Sequence, residues 1–278
     1  MNIGIFSKTY ENCNLEETFR KLAEDGIYHA QFNFASAGLS PLPNHISPEI
    51  IENIKTLSKQ YSINLDILTG TFNMIDPDIT KRNQGIQQFE LQCKAAHELG
   101  IPIVSLCTGS KNPESKWKWH DDNLKEESWN DLITTTKQII KFAEKYDVIL
   151  GVETEASNII DTADKARKYL DEINSPHLKI IMDGANLFHP GQQQDMKETL
   201  DYSFRLLGKD IVIAHAKDFS YDGDLKFVAA GQGELDFAYY VQLLKEYNYT
   251  GPIIMHGLSE LQIQTSKKYL EDIINEHI

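Results

Sequence analysis

The sequence predicts an α/β protein whose residues 1–278 form a single-domain (β/α)8 barrel, the TIM barrel fold. Eight short, strongly apolar runs are spread along the chain, and stretches with helical periodicity lie between them. The length also fits, because one such barrel takes about 250 residues. Strands this apolar have no solvated face, so we expect them to be parallel and covered by helices.

The predicted strands follow one another in regular order. They are NIGIF from residue 2, YHAQFNF from 28, INLDIL from 63, IPIVSLC from 101, VILGVE from 148, LKIIMD from 178, DIVIAH from 210 and PIIMH from 252. Apolar residues three or four positions apart, such as Leu15, Phe19 and Leu22, indicate the helices between them. A doubly wound open sheet is the alternative, but no G-x-G-x-x-G motif follows either of the first two strands.

Two loops are long for their position, at residues 34–47 and 108–125. Both follow strands, so we expect them at the carboxyl-terminal face of the barrel, where active sites are built. Trp117, Trp119 and His120 in the second loop could form a lid over a ligand. An ordinary surface loop with its aromatic side chains packed downwards explains them equally well.

Composition narrows the class of protein. With 41% hydrophobic residues the chain can bury a sizeable core, and 41 acidic against 27 basic residues give a formal charge of −14. This charge argues against nucleic acid as the main partner. Neither a membrane span nor a signal peptide is recognisable, so we expect a cytoplasmic protein. Cys13, Cys93 and Cys107 lack the spacing of a thiolate metal site and are expected to be inert thiols.

The last four predicted strands end in residues that commonly bind metals. They are Glu153, Asp183, His215 and His256. In a barrel these positions point into the mouth, and a mixed oxygen and nitrogen set suits Mn²⁺, Zn²⁺, Co²⁺ or Mg²⁺. A single carboxylate at a strand end is usually a helix cap or a solvated residue. Four successive strands ending in this way are improbable by chance, so the sequence predicts a divalent-metal site.

Further polar residues are expected to face the mouth and contact a substrate. They are Glu155, Asn186, Lys217, Asn73 and Glu260, with Gln31 and His189 as additional candidates. The structural alternatives are a capping or surface position for Glu155 and Glu260, and a pair with Asp218 or Glu234 for Lys217. The segment GQGELDF is interpreted as a turn into the seventh helix, with Asp236 as the N-cap.

Several segments resemble one known family. GVETE, MDGAN, AHAKD and AAGQGELDF, together with TGTFNMIDPD and ASNIIDTADKA, are similar to the xylose isomerase-like barrel superfamily, in its sugar phosphate isomerase and epimerase branch. The resemblance implies metal ligation by Glu153, Asp183 and His215. The family's fourth ligand is a glutamate that ends the eighth strand, and this chain has His256 there. In the related epimerases the glutamates of strands five and eight are also the acid and base groups, so this substitution affects both roles.

The expected function is a divalent-metal-dependent isomerase or epimerase that acts on a carbohydrate through an enediolate, with Glu153 and His256 as catalytic residues. A neutral histidine in place of a glutamate would make the metal a stronger Lewis acid. If His256 is a ligand, Glu153, Glu155 or Glu260 would be the base.

Three alternatives remain open. They are a dehydratase of a sugar, inosose or keto acid, a sugar-binding protein without catalysis, and a nuclease resembling AP endonucleases. The acidic charge disfavours the nuclease, and so does Asn186, where such a site would need another histidine. Barrels of this kind often pair, so a homo-oligomer is also left open.

Overall fold

A computed structural model describes residues 1–189, 195–221 and 224–276. Over these ranges eight parallel strands close into a barrel, and eight helices surround it. The barrel strands are β1 (Ile3–Phe6), β2 (His29–Phe32), β3 (Asn64–Thr69), β4 (Ile103–Leu106), β5 (Ile149–Glu153), β6 (Leu178–Asp183), β7 (Ile211–Tyr221) and β9 (Ile253–Met255). The helices are α1 (Leu15–Glu24), α2 (Pro48–Gln60), α3 (Ile79–Leu99), α4 (Glu126–Tyr146), α5 (Ala163–Ile173), α6 (Met196–Leu207), α7 (Phe237–Glu246) and α8 (Ile263–Glu276). The predicted fold class is confirmed.

The apolar side chains of the strands form two layers because alternate residues point to opposite faces. The inner layer fills the barrel and consists of Phe6, Ile67, Ile103, Ile181, Ile213 and Ile254. The outer layer lies between strands and helices, as where Phe19 of α1 contacts Phe32 of β2. Each such side chain contributes roughly 1.5–3 kcal/mol when fully buried. Within the described residues, no helix has both the length and the apolar character that crossing a membrane requires.

The seventh strand is longer than predicted. We expected it to end at His215, whereas β7 continues to Tyr221 and pairs antiparallel with β8 (Leu225–Ala229), a strand that was not predicted. A sequence signal for this hairpin exists, because an Asp-Gly pair at 222–223 precedes the alternating segment LKFVA. The two strands project beyond the barrel on the side where the loops after the strands gather.

Asp218 fixes the segment between β8 and α7. Its two carboxylate oxygens accept the backbone N–H groups of Gly231, Gly233 and Leu235 at 3.0, 2.9 and 2.9 Å. A Cβ atom at position 233 would lie 2.2 Å from the carbonyl oxygen of Phe219, which explains the glycine there. Asp236 caps α7 through the N–H of Tyr239, so the interpretation of GQGELDF as a turn into this helix is confirmed.

Candidate metal centre at the barrel mouth

Three of the predicted ligands lie together at the carboxyl ends of adjacent strands. Glu153 ends β5, Asp183 ends β6, and His215 lies opposite Asp183 in the parallel register of β6 and β7. One carboxylate oxygen or ring nitrogen from each residue lies within 4.8 Å of the others. The strand register therefore builds a compact group of two carboxylates and an imidazole, hereafter the Glu153 group.

Asp183 is the most constrained member of the Glu153 group. Its side chain is fully buried, and Oδ1 accepts the N–H of Ala185 at 3.0 Å. The other oxygen, Oδ2, accepts no hydrogen bond from any described residue and has the Lys217 ammonium at 3.3 Å. Burial raises the pKa of Asp183, the Lys217 charge opposes this, and the Glu153 charge adds to it. The Lys217 ammonium offsets part of the cost of burying this carboxylate oxygen, and a metal ion bound to the same oxygen would offset more of it.

Glu153 is held in its ionised form. Burial alone would raise its pKa, but the neighbouring His215 and Lys217 lower the pKa of Glu153 to about 2. Oε1 accepts a hydrogen bond from Nδ2 of Asn186 at 2.8 Å and lies 3.3 Å from Nδ1 of His215. A permanently charged carboxylate is the form that binds a metal ion.

Gln31 determines which nitrogen of His215 can bind a cation. Its Oε1 lies 2.9 Å from Nε2 of His215, and its Nε2 donates to Thr69 Oγ1 at 3.2 Å. An amide oxygen can only accept, so Nε2 of His215 carries the proton. Nδ1, which lies 3.3 Å from Glu153 Oε1, is therefore the nitrogen that would bind a cation in place of a proton. A hydrogen bond on the far nitrogen that orients the ring is typical of metal-binding histidines.

We expect Gln31→Met to weaken divalent-cation binding by about 10- to 100-fold, because it keeps the length of the side chain but removes the acceptor for Nε2. Competition with a chromogenic chelator measures the affinity. Gln92→Met is the matched control, since Gln92 is also buried but binds the carbonyl of Pro41 on the outer layer. Equal affinities of wild type and Gln31→Met would contradict this role.

Lys217 and Asn186 connect the members of the group. The Lys217 ammonium donates to Oδ1 of Asn186 at 2.6 Å and lies 3.9 Å from the ring centroid of Phe227 in β8. Burial lowers the pKa of Lys217, but the charges of Asp183, Glu153 and Glu155 outweigh it and raise the pKa. Lys217 is therefore a buried cation that balances part of the negative charge in the mouth.

His256 lies beside the Glu153 group but is not part of it. Its ring centroid is 4.9 Å from that of Phe6 and 5.4 Å from that of His215. Burial, followed by the charges of Lys217 and His215, holds the pKa of His256 well below its ordinary value. The imidazole is therefore neutral at physiological pH, and it is able to donate or accept a hydrogen bond.

Glu155 is a half-buried carboxylate near the same group. Burial raises its pKa, the Lys217 charge opposes this, and the charges of Glu153 and Asp183 add to it. Its described side-chain hydrogen bond is to the Ser157 hydroxyl at 3.3 Å. The prediction that Glu155 lies near the mouth agrees with these interactions.

Two predicted mouth residues have other partners. Glu260 accepts the N–H of Glu11 at 2.9 Å and the Lys21 ammonium at 2.8 Å, so it joins the loop after β9 to the first helix. Asn73 binds the backbone of Ser110 through both of its side-chain atoms, at 2.8 and 3.1 Å. The structure thus gives both residues a role in holding loops.

The loop 108–125 is anchored by residues that sequence reasoning missed. Asn158 accepts the N–H of Gly109 at 2.7 Å and donates to the carbonyl of Lys116 at 2.9 Å. Trp117 and Trp119 are 52% and 37% exposed, which disfavours the alternative in which they pack downwards, and their role as a lid stays a prediction. His189 lines an open groove beside α5 and α6.

Comparison of this sequence with known proteins finds a matching family model and several relatives. A family model described as xylose isomerase-like TIM barrel matches residues 19–273. An uncharacterized protein of Methanocaldococcus jannaschii is 23% identical over 290 residues, which cover all of this chain and 92% of that protein. The L-ribulose-5-phosphate 3-epimerase of Shigella flexneri is 23% identical over 191 residues, which cover 68% of this chain. That match spans 61% of the epimerase, less than two thirds of its length.

Solved structures show the same fold. The 3-keto-D-glucoside 4-epimerase of E. coli superposes with a TM-score of 0.76 at 18% identity, covering 98% of this chain and 99% of the epimerase chain. The IolI protein with a bound zinc atom superposes with a TM-score of 0.75 at 17% identity, covering 100% and 99% of the two chains.

Proposed function

Because this chain belongs to the xylose isomerase-like TIM barrel family, we propose that it is a divalent-metal-dependent isomerase that epimerises or isomerises a sugar or a sugar phosphate. The observation that carries the proposal is the Glu153 group, in which two carboxylates and an imidazole converge at the barrel mouth. The names of the related epimerases support a carbohydrate as the substrate.

The donor set of the Glu153 group fits a divalent cation. Two carboxylates and one imidazole suit Zn²⁺, Mn²⁺, Co²⁺ or Mg²⁺, and Asp183 Oδ2 accepts no hydrogen bond from a described residue beyond its ion pair with Lys217. We therefore assign Glu153, Asp183 and His215 as the residues that would hold it. A cation there would supply the positive charge that polarises a substrate carbonyl and stabilises an enediolate.

We assign His256 to the substrate rather than to the cation, because it lies outside the Glu153 group. A neutral imidazole can donate a hydrogen bond to a substrate oxygen on which negative charge develops. The Lys217 ammonium, at the same mouth, can neutralise part of that charge. Neither role requires the histidine to be charged.

The first proton transfer is best assigned to a carboxylate that does not also hold the cation. Glu155 meets this condition, since it lies outside the Glu153 group and has the Ser157 hydroxyl as its described side-chain partner. We assign to Glu155 the removal of the proton from the carbon beside the carbonyl. In an isomerisation it would return the proton to the neighbouring carbon. In an epimerisation the second face needs another group, for which Glu153 is the candidate.

Exchange of substrate hydrogen with solvent tests the proposal directly. We expect the metal-loaded protein in D₂O to incorporate deuterium beside the carbonyl of at least one ketose or ketose phosphate, as measured by mass spectrometry and NMR. A chelator should abolish the exchange and added Mn²⁺ should restore it. Binding of a ketose with no exchange would contradict catalysis and favour a sugar-binding protein, whereas a product lacking the elements of water would identify a dehydratase.

A further inference from the structure

Two lysines lie at the mouth on the opposite side of the barrel from the Glu153 group. Lys8 follows β1, and its ammonium is 5.3 Å from the ring centroid of Phe6, which packs against His256. Lys116 belongs to the loop 108–125 after β4, and its ammonium donates to the carbonyl of Thr71, just after β3, at 2.8 Å. The two ammonium groups therefore lie beside the ends of β1, β3 and β4, whereas the Glu153 group lies at the ends of β5, β6 and β7.

The position of Lys116 is fixed by contacts within the protein. Its backbone carbonyl accepts a hydrogen bond from Asn158 at 2.9 Å, and its side chain reaches Thr71. Its ammonium is 5.3 Å from the centroid of the exposed Trp117 ring. A fixed cation beside an aromatic surface binds a ligand without a large ordering cost.

Neither lysine forms an ion pair within the residues that the structure covers. Other lysines of the same loop do, because Lys111 pairs with Asp131 at 2.5 Å and Lys118 pairs with Glu114 at 2.8 Å. Burial lowers the pKa of Lys116, the Cys107 thiol opposes this, and the positive charge of Lys8 lowers it further. Lys116 is thus a half-buried ammonium with no described carboxylate beside it, and the exposed Lys8 adds a second positive charge nearby, so an anion that enters the mouth would meet two positive charges that no described carboxylate neutralises.

We propose that Lys8 and Lys116 form an anion subsite for the terminal phosphate or carboxylate of an open-chain substrate whose carbonyl end reaches the Glu153 group. The anion subsite itself rests on the two lysines. The position of the carbonyl end at the Glu153 group rests on the proposed function. An ammonium binds either anion as a point charge. The preferred substrate class is thus a sugar phosphate or a sugar acid rather than a neutral sugar.

Binding measured by calorimetry, without turnover, tests the subsite. The ligands are D-xylulose 5-phosphate, the sugar acid D-fructuronate and neutral D-xylulose. We expect at least one anionic ligand to bind the wild type about 10-fold or more tightly than D-xylulose, and Lys116→Met to remove most of that preference while leaving the Kd of D-xylulose unchanged. Lys8→Met should act in the same direction. Comparing the two anionic ligands tells whether phosphate or carboxylate is preferred.

Lys118→Met is the matched control, because Lys118 lies two residues away in the same loop but is exposed and paired with Glu114. An equal loss in Lys118→Met and Lys116→Met would show a general effect of charge and overturn the subsite. Anionic ligands that bind no better than D-xylulose would overturn it as well. A preference that depends on Lys116, found together with no deuterium exchange on any ligand, would support the subsite and contradict the isomerase.

Discussion

Asp183→Asn should reduce the metal content of the purified protein from about one divalent ion per chain to less than about a tenth of that. The substitution removes one negative charge and replaces one of the two carboxylate oxygens by an amide NH₂, which cannot bind a cation. Metal analysis of protein purified without added metal, followed by calorimetric titration with Mn²⁺, measures the effect. Exchange of substrate deuterium should fall with the metal.

The effect of Asp183→Asn on folding stability can be measured separately from its effect on metal binding. Without metal, replacing Asp183 by a neutral amide removes an attraction to the Lys217 ammonium and also a repulsion from Glu153, and these two effects on stability oppose each other. We therefore expect the metal-free variant to unfold cooperatively, with a Tm near that of the metal-free wild type. Asp66→Asn is the control, since Asp66 pairs with His29 at the other end of the barrel. An Asp183→Asn protein that keeps its full metal content would show that the ion binds elsewhere.

The metal content and turnover of His256→Ala should be measured together with those of Asp183→Asn. Because His256 lies outside the Glu153 group, we expect this variant to keep its metal and to lose turnover. Loss of the ion from His256→Ala would instead make it the fourth ligand that the family resemblance implied.

Glu155→Gln should lower kcat by about 10³-fold and leave the metal content unchanged, because it removes the proposed proton acceptor without touching the Glu153 group. Deuterium incorporation under saturating substrate and metal measures the proton-transfer step itself. The exposed Glu144 of α4 provides the control variant Glu144→Gln. If Glu155→Gln exchanged deuterium at the wild-type rate, the base would have to be sought in Glu153.

The barrel could be predicted because its strands are buried on both sides. A strand covered by helices is an uninterrupted apolar run, and all eight runs were visible in the sequence. β8 was missed because it lies outside the barrel and its segment LKFVA carries a weaker, alternating pattern. The seventh apolar run, DIVIAH, ends at His215, whereas β7 continues to Tyr221 as part of the hairpin.

The candidate site was predictable to the extent that strand register determines it. Asp183 and His215 are register partners on neighbouring parallel strands, and Glu153, the register partner of Ile181, ends the next strand, so their proximity follows from the strand ends. Glu260 lies several residues beyond β9, where position depends on packing against the first helix rather than on register. The sequence also could not predict that Lys116 has no carboxylate partner among the described residues, because this depends on how the loop 108–125 folds.

The alternation of side chains along β7 has a consequence for how the chain can change in evolution. His215 and Lys217 face the mouth, whereas Asp218 faces away and holds the segment 231–235 by its backbone N–H groups. Losing or gaining a single residue between His215 and Asp218 would put both side chains on one face, so that either the ligand leaves the mouth or Asp218 turns away from the segment 231–235. The spacing between His215, Lys217 and Asp218 is therefore as important to the site as the identity of these residues.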